Sequence, residues 1–225
     1  MLERISNDPV IPVSWGKNQP GMQAAGELDN DTQDKCLALW LEARDSAVKY
    51  AKELSDLGLH KEVCNRIVEP WMWTSTVVTA TDWDNFYWLR NDPNAQPEIR
   101  VLAQAMLSAQ KTSVPRLVGY GEWHLPFIQD VERLRYNEDT LLKCSVARCA
   151  RVSYNNHDGS DPDINKDVDL YQKLVDSGHM SPLEHQATPY GLRTISSGNF
   201  RGWQQYRKTI ANENRCNYPG LKEME

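Results

Sequence analysis

From Thr32 to Leu57 the apolar positions Cys36, Trp40, Ala43, Ala47, Tyr50 and Leu54 return at alternating steps of three and four, the spacing that lines one face of an α-helix. Gly58 supplies its stop. The stretch LHKEVCNRIVE predicts a shorter helix that ends by Pro70, since proline has no amide to continue one, and the threonine- and valine-rich WMWTSTVVTAT predicts a strand. Asp82 is placed to cap a helix over WDNFYWLR. After the loop NDPNAQ, Pro97 fits the first turn of a helix whose Ile99, Leu102, Ala103, Met106 and Leu107 share a face.

Further along, TLLKCSVARCARVSY, KDVDLYQKLVDSG (closed by Gly178) and NFRGWQQYRKTI (capped by Asn199) predict three more helices. Proline and glycine break the pattern in residues 1–30 and again from Val114 to Asp139. Residues 1–30 read as an irregular arm, 31–110 as a helical block, 111–143 as a connector and 144–225 as a second block, all within one domain over 1–225.

Charge narrows the partners. A net charge of -6 and a pI near 5.4 exclude a broad basic surface for duplex nucleic acid, while leaving individual arginines free to hold one small anion. The five cysteines form no C-x-x-C pair, and an odd number cannot all pair within a monomer, which predicts reduced thiols. No apolar run of signal-peptide or membrane-spanning length occurs, so a cytoplasmic protein without membrane contact is expected.

Candidate chemistry gathers in two stretches. In SGHMSPLEHQ, residues 177–186, the six-residue spacing of His179 and His185 is wrong for two ligands on one helical face, and no metal is expected. Ser181, Pro182 and Glu184 instead have the spacing of a capping box, and a helix N-terminus there would offer amides to a phosphate beside His179. In WDNFYWLRNDPNAQPEIR, Asn85, Arg90, Gln96, Glu98 and Arg100 crowd one corner. An arginine there either pairs with Glu98 or binds a ligand, and Arg66 has the same two roles open to it.

Taken together these stretches resemble the flavin-dependent thymidylate synthases, the ThyX family. The G-H-x-[ST]-x-x-E-H segment is present as Gly178, His179, Ser181, Glu184 and His185. The family's R-x-x-L-P, N-x-x-x-x-L-R and A-Q-x-E-I motifs are matched by Arg66 (with EP in place of LP), by Asn85, Leu89 and Arg90, and by Ala95, Gln96, Glu98 and Ile99. CARVSY at 149–154 is similar to the family's opening segment.

Two departures stand out. The histidine segment follows the Leu-Arg block instead of preceding it, so the order is circularly permuted. The signature R-H-R-x-x-S-x-N-E-x-S-x-R-Y is degraded to QYRKTIANENRCNY, which keeps Arg207, Asn212, Glu213 and Tyr218 but has Gln205, Tyr206, Ile210, Arg215 and Asn217 at other fixed positions. The permuted order carries the expectation that a fuller copy precedes Met1.

The resemblance implies an α+β fold of several long helices around a small antiparallel sheet, and reductive methylation of dUMP to dTMP with methylenetetrahydrofolate, NADPH and FAD. It implies a homotetramer with sites at subunit interfaces. Arg90 would be catalytic. His179, Ser181, Glu184, Thr79, Thr81 and Asn85 would face the flavin, and Arg66, Arg90, Gln205, Arg207 and Glu213 the nucleotide. The alternatives are a non-catalytic or fragmentary nucleotide-binding relative, a flavin-dependent pyrimidine hydroxymethylase, and a metal-dependent hydrolase around His179 and His185.

Overall fold

The computed structural model describes residues 1–21, 23–24, 26–152, 163–192, 194–211 and 213–214. Among these the fold is α+β, with eight α-helices and two two-stranded antiparallel ladders. The chain divides into two compact units, Met1–Thr74 with Asp84–Ser113, and Ser75–Trp83 with Val114–Glu225.

The first unit is helical. Helix α2, Asn30–Asp56, begins at Asp29, whose carboxylate accepts from the Thr32 amide, and its last turn closes on Gly58 at φ 88°. That left-handed conformation lets the amides of Leu57, Gly58 and Leu59 reach back to carbonyls of the final turn. Helix α3, Lys61–Arg66, is followed by a 3₁₀ turn at Glu69–Trp71 that accommodates Pro70. Helix α4 is Asp84–Arg90, and α5, Pro97–Thr112, starts on its proline as expected and seals Ala103 completely.

The N-terminal arm is not wholly irregular, because Leu2–Asn7 forms helix α1. Ile5 is buried against Ala51, Val68 and Trp71, and the Arg44 guanidinium donates to the Ile5 and Ser6 carbonyls that the end of so short a helix leaves open. Tertiary contact supplies what a six-residue helix lacks by itself. The Trp40 indole donates to the Val10 carbonyl and packs on Trp71 with ring centroids 5.3 Å apart.

In the second unit α6, Asp130–Arg133, precedes the pair α7, Glu138–Ala150, and α8, Ile164–Asp176, which pack around Leu141, Val146, Tyr171 and Leu174 together with Leu183. Arg148 crosses this core. Its guanidinium donates to Glu132, to Asp167 and to the carbonyl of Phe127, and Arg151 closes on the other oxygen of the fully buried Asp167. Burial opposes the Arg148 charge, but the bonds to Glu132 and Asp167 outweigh it and raise the pKa.

Three sequence expectations fail here. WMWTSTVVTAT has no ladder partner among the described residues. Helix α4 starts at Asp84 without Asp82, whose carboxylate pairs with Arg201 at 3.0 Å instead. NFRGWQQYRKTI is strand and turn: β2, Ser196–Ser197, pairs with β3, Phe200–Arg201, while β4, Trp203–Gln205, pairs with β1, Ala187–Pro189, and a 3₁₀ turn follows at Tyr206–Thr209. Gly202 at φ 77° breaks any helix at the point where the chain passes from one ladder to the other. Ser153, Tyr154, Asn212, Arg215, Asn217 and Tyr218, named in the motifs above, lie outside the described residues.

Candidate functional site

Arg66, Arg90 and Asn85 all belong to the first unit and are exposed, Arg66 in the last turn of α3 and Arg90 in the last turn of α4. No carboxylate or other partner among the described residues holds either guanidinium. Glu98, the acid that would have made such an arginine purely structural, accepts instead from the Gln96 amide at 2.9 Å. Unpaired planar cations are suited to a phosphate or to a ring carbonyl with its neighbouring nitrogen.

The second unit holds Thr79, Thr81, His179, Ser181, Glu184, Gln205, Arg207 and Glu213. Ser181 does not cap a helix. Ser181–Glu184 is a single 3₁₀ turn whose N-cap is Met180, with no side-chain cap bond, and the chain runs on into β1. A four-residue turn has no macrodipole worth the name, so no helix dipole faces a phosphate at this terminus. The Glu184 carboxylate, which a capping box would have used, is bonded to the Arg207 guanidinium.

Arg207 is held by two carboxylates. Besides Glu184 it donates through Nε to Glu213 at 2.7 Å, and Lys208 reaches the same Glu213 carboxylate. Bonds from Lys208 first, and from Arg207, hold the Glu213 carboxyl below its usual range. Gln205 is buried, with its side-chain amide donated to the Glu184 carbonyl. The three residues expected to meet a nucleotide in this unit are thereby tied to one another or to Glu184.

Thr79 lies 3.0 Å from Nδ1 of His185, and burial pulls that imidazole's pKa down. His124, whose backbone pairs with Ala187, has its pKa lowered by burial and by the charges of Arg133 and His185. Burial thus favours the neutral form of both imidazoles. Among the described residues no group of His, Cys, Asp and Glu is arranged to hold a metal ion. Burial pushes the Cys144 thiol up to about 11 and the Cys149 thiol up to about 12, which keeps both unreactive at neutral pH.

A cavity of about 880 Å³ opens beside Thr81, Asp82, Tyr120, Pro189, Arg201 and Trp203. Its size is that of a site for a ring-bearing ligand. The Thr81 hydroxyl accepts from the Arg201 amide at 2.8 Å, which leaves its own hydrogen available to donate into the cavity. His179 and Ser181 are exposed, their side chains without partners among the described residues, and they do not line this cavity. Of the residues expected to face a flavin, Thr81, His179 and Ser181 thus retain polar groups for one, Thr79 and Glu184 are committed to protein partners, and Asn85 belongs to the other unit.

The family model described as thymidylate synthase complementing protein matches residues 6–116. The match covers just under half of the chain, and it is a similarity of that block to the family. The matched segment contains Arg66, Thr79, Thr81, Asn85, Arg90 and Glu98. It stops short of the histidine stretch at 177–186. No curated protein and no solved structure matches the chain. Among the described residues no helix is long and apolar enough to cross a membrane.

Sequence reasoning overlooked three participants. His124 lies in a weakly patterned stretch and Arg201 in one whose spacing predicts a helix, and only the pairing of His124 with Ala187 and of Arg201 with Asp82 gives them their places. Gln186, buried beside Ser145 and Cys149, fills the space behind the histidine stretch and carries no local signal.

Proposed function

We propose that this chain is a flavin-dependent thymidylate synthase, converting dUMP to dTMP with methylenetetrahydrofolate as carbon donor and NADPH as reductant. The observation that carries this reading is the pair of unpaired guanidiniums, Arg66 and Arg90, within the family-matched block. In it Arg90 offers two coplanar donors to a uracil carbonyl and the adjacent ring nitrogen, stabilising the ionised ring that attacks through carbon. Arg66 binds the nucleotide phosphate.

A bound FAD would be held by Thr81, His179 and Ser181, and the chemistry it supplies is hydride donation. The protein's own part is to bind and orient the pyrimidine and to keep water from the reacting face. No cysteine is needed as a nucleophile. Copies of the chain assemble as a homotetramer in this reading, so that each site draws on more than one protomer.

A second reading, a nucleotide-binding relative without flavin chemistry, is favoured by one observation: Arg207 is bonded to both Glu184 and Glu213, and Gln205 is buried. Two measurements separate the readings. Titration with FAD followed by visible absorbance, and tritium release from dUMP labelled at the ring carbon that is methylated, both give a signal for the synthase. The binding relative takes dUMP but gives neither.

A further inference from the structure

Two bonds fix the segment Ser75–Trp83 against the β2–β3 hairpin of the same unit: the Thr81 amide donates to the Asn199 carbonyl at 3.2 Å, and the Arg201 amide donates to the Thr81 hydroxyl. They set Asp82 opposite Arg201, whose Nε lies 3.0 Å from one carboxylate oxygen. With side chains 61% and 62% exposed, this pair adds little to stability because solvent screens it. Among the described residues neither the terminal nitrogens of Arg201 nor the other oxygen of Asp82 has a partner. The pair stands at the cavity of about 880 Å³, whose walls also carry the rings of Tyr120 and Trp203. Tyr120 lies across Gly191, where a Cβ would collide with its hydroxyl, and its ring is largely open to solvent.

A carboxylate beside a guanidinium suits a flat ligand edge on which hydrogen-bond donors adjoin acceptors. Guanine carries that order: its 2-amino group and N1–H suit Asp82, and O6 with N7 suits the Arg201 fork. Uracil and flavin rings set a carbonyl on each side of their N–H, which would bring one carbonyl against the Asp82 carboxylate. Adenine turns an amino group toward the guanidinium. A reduced folate shares the amino and lactam groups of guanine, but its N5 bears the carried carbon and is closed to the fork. We propose that this cavity binds a guanine base, held at its edge by Asp82 and Arg201 and stacked against the rings of Tyr120 and Trp203. The ligand is none of those in the function proposed above, and the inference does not rest on that reading. Thr81 enters only through the oxygen that positions Arg201.

Calorimetric titration of guanosine, adenosine, uridine and 5-methyltetrahydrofolate into the wild-type protein, Asp82→Asn and Arg201→Lys tests this, with thermal melting to confirm folding. Asparagine keeps the shape but turns one acceptor into a donor, and lysine keeps the charge but loses the planar fork. The expected result is that guanosine binds the wild type at least about tenfold more tightly than the other three, and that each variant binds guanosine at least about tenfold more weakly. Titration of the same proteins with FAD, followed by visible absorbance, should give the same affinity in all three. A wild type that does not bind guanosine, or folded variants that bind it unchanged, overturns the proposal and leaves the synthase reading standing. So does FAD affinity that falls with the variants as guanosine affinity does, since the cavity would then be the flavin's. Binding of 5-methyltetrahydrofolate that depends on Asp82, without guanosine binding, also overturns it. Guanosine binding that depends on both residues, in a protein that takes up no FAD, sustains the proposal and removes the synthase reading.

Discussion

Thr79 and His185, 106 positions apart in the chain, share a hydrogen bond of 3.0 Å. The bond ties the short segment Ser75–Trp83 to the histidine stretch within the second unit. Thr79→Val keeps the side-chain shape and leaves the half-buried imidazole nitrogen without its partner. The expected cost is about 1–2 kcal/mol, read as a lower urea midpoint at unchanged slope. An unchanged midpoint would show that the bond holds nothing in place.

Charge removal in the same unit should have two very different effects. Asp167 is fully buried between Arg148 and Arg151, so Asp167→Asn leaves uncompensated charge inside the protein and should cost about 3–5 kcal/mol. Glu184→Gln breaks a pair whose side chains are 25% and 32% exposed, where solvent screens the interaction, and should cost about 0–1 kcal/mol. Thermal melting of the two variants side by side checks the order, and equal losses would contradict it.

Acid should destabilise the chain in two stages. His185 and His124 have folded pKa values below their ordinary 6.5, with burial the largest cause, so the unfolded chain takes up protons first as pH falls. Stability is then complete above about 6.5 and declines as pH drops through the folded values. Glu132, held below its ordinary 4.5 chiefly by the bond from Arg148, gives a second decline beneath that value. Urea midpoints between pH 8 and pH 5, on the order of one point per half unit, should lose most of the first decline in the double variant His124→Gln, His185→Gln. Retention of the full decline would place its origin elsewhere.

The long elements were legible because their apolar residues recur at helical spacing and each is bounded by a residue with an unambiguous backbone preference, although Tyr50 and Leu102 of the predicted faces stay exposed. α2 runs to Gly58 and α5 starts at Pro97 for reasons that lie within a few residues of each end. What failed depended on distant partners. Ser181 and Glu184 have capping-box spacing, yet Arg207, 23 positions on, takes the carboxylate. NFRGWQQYRKTI has a helix-like apolar spacing, yet pairing with Ala187–Pro189 and the conformation of Gly202 decide for strands. In the matched block the motifs singled out Arg66 and Arg90, but spacing alone left open whether an arginine of that corner was spent on Glu98. Among the described residues Glu98 accepts from Gln96 and pairs with no arginine.

Nucleotide binding by Arg90 is the point on which the whole account turns, and equilibrium binding of dUMP to the wild type and to Arg90→Lys measures it most directly. The account predicts that the wild type binds dUMP and that the lysine variant, still folded, binds at least about tenfold more weakly because it lacks the coplanar pair of donors. Equal binding by the two proteins, or no binding by the wild type, would contradict it.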